Sequence, residues 1–150
     1  MKKCEKEHNI RWLIRKDMPI ILEIEQQSAE IPWSEDTFIS HLRQRNVIGM
    51  IIENSHTILG FMLYYIHKNR IELIKIVSHP NYRRSKIGTA MINKLKSKLS
   101  FQRRNKITME VDENNLTGQL FLKNCGFKCV YILNKDENVK YAMQFISEDI

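Results

Sequence analysis

Apolar residues recur along this chain in two rhythms, one of strands and one of amphipathic helices. Ile10–Ile14 (I-R-W-L-I) reads as a first strand. Ile20, Ile21, Leu22 and Ile24 then give a helix with a broad apolar face, with Asp17 as its cap and Pro19 in its first turn. That helix must end before Pro32, because the residue preceding a proline is pushed out of the α region. Ser34 is the N-cap expected for a second helix, with Glu35 and Asp36 in its first turn and Phe38, Ile39 and Leu42 as its apolar stripe. Val47–Glu53 and Ile58–His67, joined by N-S-H-T, and then Ile71–Ser78 are β-rich runs that predict three consecutive antiparallel strands.

Beyond them, Met91, Ile92, Leu95 and Leu99 mark one face of a helix that has lysines opposite. Ile107–Val111 is a short apolar strand interrupted by one carboxylate, Glu110. Leu116–Asn124 predicts a helix ended near Gly126, and Lys128–Leu133 with Val139–Phe145 predicts a terminal hairpin around N-K-D-E-N. Strands, then strand–loop–helix, strand–helix and a hairpin make an α+β fold with a mixed central sheet. At 150 residues the chain is sized for a single domain with its own core.

Composition narrows the function. The apolar fraction of 43% excludes a disordered chain, and no apolar run approaches the roughly 20 residues that span a bilayer. The lysines of M-K-K-C-E-K-E-H-N have no apolar segment behind them, so no secretory signal is expected. Cys4, Cys125 and Cys129 lack metal or redox spacing and read as reduced thiols of a cytoplasmic protein; no metal is expected. The net charge of +7 is concentrated: no acidic residue lies between Glu72 and Glu110, where Lys75, Arg83, Arg84, Lys86 and several later lysines and arginines fall. Such a stretch is either a solvated face or an electrostatic funnel for a polyanion. Nucleic acid is disfavoured as that polyanion, since few aromatics interleave the charges to stack bases.

The segment E-L-I-K-I-V-S-H-P-N-Y-R-R-S-K-I-G-T-A-M, Glu72–Met91, has a chemistry of its own. A strand feeding a helix N-terminus through a basic loop presents free N–H groups and a favourable dipole to an anion, most simply a phosphate or pyrophosphate. Glu110 in M-E-V-D-E-N-N is a carboxylate in an apolar strand, the placement of either a solvent-facing side chain or a group facing a cleft. The pair Pro32-Trp33 is either a wedged aromatic closing a helix hairpin or part of a binding wall.

Arg83-Arg84-Ser85-Lys86-Ile87-Gly88 resembles the acyl-CoA-binding signature of the GNAT N-acetyltransferases, Q/R-x-x-G-x-G/A, with Lys86 where that family usually has its first Gly. I-E-Q-Q-S-A-E-I-P-W-S-E-D-T-F is similar to the corresponding region of the bacterial ribosomal-protein-alanine N-acetyltransferases, the RimI-like branch. The order of elements resembles GNAT order over nearly the whole chain. The resemblance implies a mostly antiparallel central sheet of about seven strands flanked by about four helices, in one GNAT domain over residues 1–150.

It further implies an acetyl-CoA-dependent transfer of acetyl to a primary amine by direct attack. The expected acceptor is a protein N-terminus, such as that of a ribosomal protein. The alternatives are a small amine (a polyamine or amino sugar) or an acyl-CoA-binding domain with little turnover. By position, Glu110 matches the general base. Ile76, Val77 and Ser78 match the strand that holds the thioester and pantetheine, and Arg83, Arg84, Ser85, Lys86, Ile87, Gly88 and Thr89 the pyrophosphate loop. Asn115 matches a contact to the pantetheine arm, and Pro32, Trp33, Glu110 and Tyr131 are the expected acceptor contacts. Three features depart from the family. Lys86 replaces Gly, Leu122 stands where a Tyr commonly serves as general acid, and the terminal hairpin is shorter than in the RimI-like branch. Water, Tyr131 or Tyr141 is available to stand in for the missing acid.

Overall fold

The computed structural model describes residues 8–147, except the side chains of Arg84 and Ser85. The elements are β1 (Asn9–Trp12), α1 (Met18–Ser28), α2 (Glu35–Leu42), β2 (Val47–Asn54), β3 (Thr57–Ile66), β4 (Ile71–Ser78), α3 (Ile87–Lys96), β5 (Lys106–Asp112), α4 (Leu116–Asn124), β6 (Lys128–Lys135) and β7 (Asn138–Ile146). Short 3-10 turns precede α1, at Arg15–Asp17, and α3, at Pro80–Ser85. The seven strands form one sheet in the order β1-β2-β3-β4-β5-β7-β6, and with four helices the chain is α+β. The pairs β1–β2, β5–β7 and β6–β7 are antiparallel; β4–β5 is parallel, at Ile71↔Ile107 and Glu72↔Thr108.

By contacts the chain divides into two compact units: the described residues through Tyr64 with Lys75–Met91, and Tyr65–Ile74 with the described residues from Ile92 onward. The first unit has a core of Ile21, Ile24, Phe38, Ile51, Phe61 and Ile87, in which Phe38 and Phe61 meet edge to face at 5.7 Å. Gly60 is obligatory in it, because a Cβ there would lie 2.6 Å from the Val77 carbonyl and 3.3 Å from Ile87 and Met91. The second unit packs Ile71, Leu73, Leu95, Ile107, Leu122 and Phe127.

Local chemistry sets the element ends. Ser34 accepts from the Thr37 amide and starts α2 as expected. Between β2 and β3, Ser55 and His56 both take positive φ (51° and 74°), the conformation of a tight hairpin turn. Gly126, at φ 96°, ends α4, with Gly126 N donating to Lys123 O and Phe127 N to Leu122 O at 3.0 Å each. Lys96 Nζ donates to the Cys125 carbonyl at 2.6 Å, closing the same helix end.

Three local expectations are corrected. Asp17 does not cap α1: its backbone is helical and its carboxylate turns back to accept from Arg11 and from the Ile14 amide. Ile20 is exposed, and the buried stripe of α1 is Met18, Ile21, Ile24 and Glu25. The α3 helix stops at Lys96, where i→i−3 bonds from Lys98 and Leu99 tighten the chain, so Leu99 lies beyond it.

Candidate active site

In the first unit, β4 runs into a basic loop and then α3. His79 accepts from the Asn81 amide at 3.1 Å, so it caps the Pro80–Ser85 turn, and its ring meets Tyr82 edge on. Lys86 links that turn to α3 in the left-handed conformation, φ 62° and ψ 31°, which costs a lysine roughly 1 kcal/mol more than a glycine. The first α3 bond is Ala90 N to Lys86 O, so Ile87, Gly88 and Thr89 supply first-turn amides without intrahelical acceptors. Lys86 and Arg83 are both exposed, and Arg83 Nε donates to the Ser78 carbonyl at 3.3 Å. The side chains of Arg84 and Ser85 lie outside the described residues. Helix amides, an αL corner and two cations are the donor set a pyrophosphate requires, so this loop fits the anionic end of coenzyme A. Ile76, Val77 and Ser78 are the strand end from which the loop leaves.

The Pro32-Trp33 loop is anchored to this same strand, which the sequence reading did not foresee. Glu25, fully buried on α1, accepts from the Trp33 amide at 3.0 Å and from Lys75 Nζ at 2.8 Å, while its Oε1 has no hydrogen-bond partner. Lys75 Nζ lies 4.5 Å from the centre of the Trp33 ring, whose other neighbours are His41, stacked at 4.4 Å, and Phe38, edge on at 5.1 Å. The loop is therefore both a wedged aromatic corner and a fixed, half-buried surface beside β4.

In the second unit, register decides which side chains share a face. Glu110 pairs with Ala142, and Ala142 with Tyr131, so Glu110 and Tyr131 stand on one face with only a methyl between them. A bulge makes this possible. Cys129 pairs with Met143 but Tyr131 with Ala142, leaving Val130 as the extra residue that switches the face. Tyr141 pairs with Val111 and Ile132, on the opposite face. There it lines an open apolar groove of about 500 Å3 with Leu116, Leu120, Ile132 and Met143. Tyr141 thus faces away from Glu110.

Glu110 itself is 41% exposed and ion-paired, Oε1 to Lys135 Nζ, at 2.9 Å. Asn115 caps α4, accepting from the Gly118 amide at 2.9 Å, so its Oδ1 is committed locally. Leu122 is 1% exposed, a core residue with no proton to give.

Residues 8–127 match the acetyltransferase (GNAT) family. The chain belongs to that family. A [ribosomal protein bS18]-alanine N-acetyltransferase from Haemophilus influenzae is 30% identical over 116 residues, 77% of this chain and 78% of its own. The Escherichia coli K12 enzyme of the same description is 26% identical over 120 residues, 80% of each. The crystal structure of the ribosomal-protein-S18-alanine N-acetyltransferase from Escherichia coli superposes with a TM-score of 0.81 at 22% identity, covering 96% of this chain and 97% of that one. This GNAT protein is an N-acetyltransferase of RimI-like descent.

Sequence reasoning passed over Glu25, Lys135 and Gly60, and it read Lys75 only as one charge of the basic stretch, whereas Lys75 pairs with Glu25. The signal for Glu25 and Gly60 was weak but present: a carboxylate on the apolar stripe of α1, and a glycine in the middle of an apolar strand. Nothing in the sequence marks Lys135.

Proposed function

We propose that this GNAT protein uses acetyl-CoA to acetylate the α-amine of a protein N-terminus. The observation that carries the reading is Glu110: a solvent-reachable carboxylate in mid-strand, level with Tyr131 across Ala142. An amine at neutral pH is mostly ammonium and cannot attack until it loses a proton. Glu110, directly or through a water, takes that proton. Tyr131 orients the acceptor by hydrogen bonding, and Pro32 and Trp33 supply an apolar wall held by Glu25 and Lys75. Bound acetyl-CoA supplies the activated acetyl group. The amides of Ile76, Val77 and Ser78 hold that end, Asn115 the arm, and Arg83, Arg84, Ser85, Lys86, Ile87, Gly88 and Thr89 the pyrophosphate. With Leu122 unable to donate, the departing thiolate leaves as an anion or takes its proton from water, tolerable for a thiol whose ordinary pKa is about 8.5. Action in the cytoplasm is part of this reading, and among the described residues no helix is long and apolar enough to cross a membrane.

A small amine is the second reading, favoured by the short β6–β7 hairpin, whose turn is Asp136-Glu137. One panel separates the two. Peptides with free Ala, Ser or Met N-termini, a lysine peptide with a blocked N-terminus and polyamines are offered with acetyl-CoA. Turnover on an N-terminal peptide, reduced about 10²–10⁴-fold in Glu110→Gln with coenzyme A binding retained, is the expected result. Turnover confined to polyamines would replace the peptide reading, and none on any amine would remove the enzyme reading of this site.

A further inference from the structure

The ion pair between Glu110 and Lys135 is not what sheet geometry alone would give. Lys135 pairs with Asn138, four residues along β7 from Ala142, the level of Glu110. On a flat sheet that offset is about 13 Å along the strand, with two strand spacings of about 4.8 Å across it. The two side chains do not span so far. Their 2.9 Å contact requires the β6–β7 ribbon to coil over the Glu110 face, as strongly twisted two-stranded ribbons do. Tight closure helps: Asp136 takes φ 58° in the turn directly after Lys135, so β6 carries the lysine to its last residue. The amine is thus delivered by a paired strand, on the same face as Tyr131, and its side chain is 53% exposed. Adjacent carboxylates at Asp136 and Glu137 do not capture it.

An ammonium held against the group assigned as general base is in the position the acceptor ammonium must take. We propose that Lys135 is itself an acceptor, acetylated in cis on Nζ; this rests on the acetyl-CoA reading above. Glu110 removes one proton from the Lys135 ammonium and passes it to solvent. The free amine adds to the acetyl carbonyl, a C–N bond forms and the C–S bond breaks, and the sulfur leaves with the electron pair. The second amine proton neutralises that thiolate, so the products are Nε-acetyl-Lys135 and free coenzyme A thiol. The modified side chain is neutral and no longer pairs with Glu110. The site is therefore a modification site for an acetyl group, built from the hairpin that partly covers the acceptor face.

The test uses the full chain with 13C-acetyl-labelled acetyl-CoA and no added acceptor, followed by intact mass and peptide mapping. Wild type, Glu110→Gln and Lys135→Arg are compared, with folding of each checked by circular dichroism. The expected result is one labelled acetyl on Lys135, formed at a rate independent of protein concentration. It is absent in Lys135→Arg, where no other lysine takes its place, and slowed about 10²-fold in Glu110→Gln. Label spread over exposed lysines at equal rates in wild type and Glu110→Gln overturns the proposal, as does a rate that rises with protein concentration. The same wild-type preparation is assayed on the amine panel. Acceptor turnover with Lys135 unlabelled sinks this inference alone, whereas no transfer to any amine or to Lys135 sinks the acetyl-CoA reading with it.

Discussion

Tyr131 shares a sheet face with Glu110 because one extra residue, Val130, interrupts β6 between Cys129 and Tyr131. Without that bulge, Cys129 and Tyr131, two apart, would point the same way, and Tyr131 would join Met143 and Tyr141 over the apolar groove. Bulges re-aim side chains beside active sites, and this one gives the only tyrosine of the terminal hairpin that faces the carboxylate. Tyr131→Phe is expected to raise the KM for the amine acceptor several-fold, on the order of one lost hydrogen bond at about 1 kcal/mol, with the KM for acetyl-CoA unchanged. Tyr141→Phe, on the other face, should change neither. Steady-state kinetics of the two variants check this, and equal effects would remove Tyr131 from the acceptor site.

Lys86 presents a conflict between backbone and ligand. Its φ of 62° is a glycine's conformation, yet the residue carries an exposed ammonium at the head of α3. Lys86→Gly should relieve roughly 1 kcal/mol of strain, offset in part by the greater freedom glycine gains in the unfolded chain. Affinity should move the other way: the KM for acetyl-CoA rises and its salt dependence weakens, because one cation near the pyrophosphate is gone. Thermal unfolding and KM at two salt concentrations measure both. A lower KM in Lys86→Gly would show that the lysine obstructs the loop rather than serving it.

The sequence made legible what local periodicity and punctuation encode. β4 and α4 run from Ile71 to Ser78 and from Leu116 to Asn124, the ranges that alternation and helical spacing predict. The Ser34 cap and the Gly126 stop are equally local signals. What escaped depends on side-chain partners that periodicity does not encode. Asp17 looks like an N-cap until Arg11 claims it, and the Trp33 loop looks unsupported until Lys75 and Glu25 meet beneath it. The site residues show the same division. The loop around Lys86 and the placement of Glu110 in an apolar strand were visible, but the face shared with Tyr131 depends on a bulge that alternation cannot reveal. Lys135 at Glu110 depends on ribbon coiling, which leaves no trace in composition.

Arg11 is the hub of an acid-sensitive cluster in the first unit. Its guanidinium forks onto Asp17 at 2.9 and 3.0 Å and reaches Glu53 at 3.1 Å. Burial pushes the Asp17 carboxyl upward, but hydrogen bonds from Arg11 and the Ile14 amide, with Arg11's charge, outweigh it and hold the carboxyl below its ordinary value. Glu53 is likewise held low, first by its hydrogen bond from Arg11. Folded pKa values below the unfolded ones mean that this stabilisation is present above the ordinary carboxylate range, about pH 4, and is lost as pH falls through the folded values. Arg11→Met should cost about 2 kcal/mol at pH 7, part of the buried-pair value being shed because the guanidinium is one-third exposed. Urea unfolding at pH 7 and pH 3 should show the loss shrinking at the lower pH. A loss that is the same at both would mean that Arg11 acts by packing alone.

The Glu25–Lys75 pair gives the sharpest test of how the Trp33 loop is held. Glu25 is fully buried, and Lys75 is its only cationic partner among the described contacts, at 2.8 Å. Removing one member of a buried pair strands the other's charge, at a cost of about 3 kcal/mol, whereas replacing both by apolar groups can be near neutral. Lys75→Met should therefore destabilise more than the double variant Glu25→Leu/Lys75→Met, a non-additivity measurable by urea unfolding. The double variant still loses the carboxylate that accepts from the Trp33 amide and the cation over its ring. In a Trp12→Phe background, which removes the exposed second indole, Trp33 emission should shift to the red in the double variant even where stability is recovered. That separation of stability from loop geometry is the diagnostic. A recovered double variant with unshifted emission would mean that stacking on His41 and Phe38 holds Trp33 without help from the ion pair.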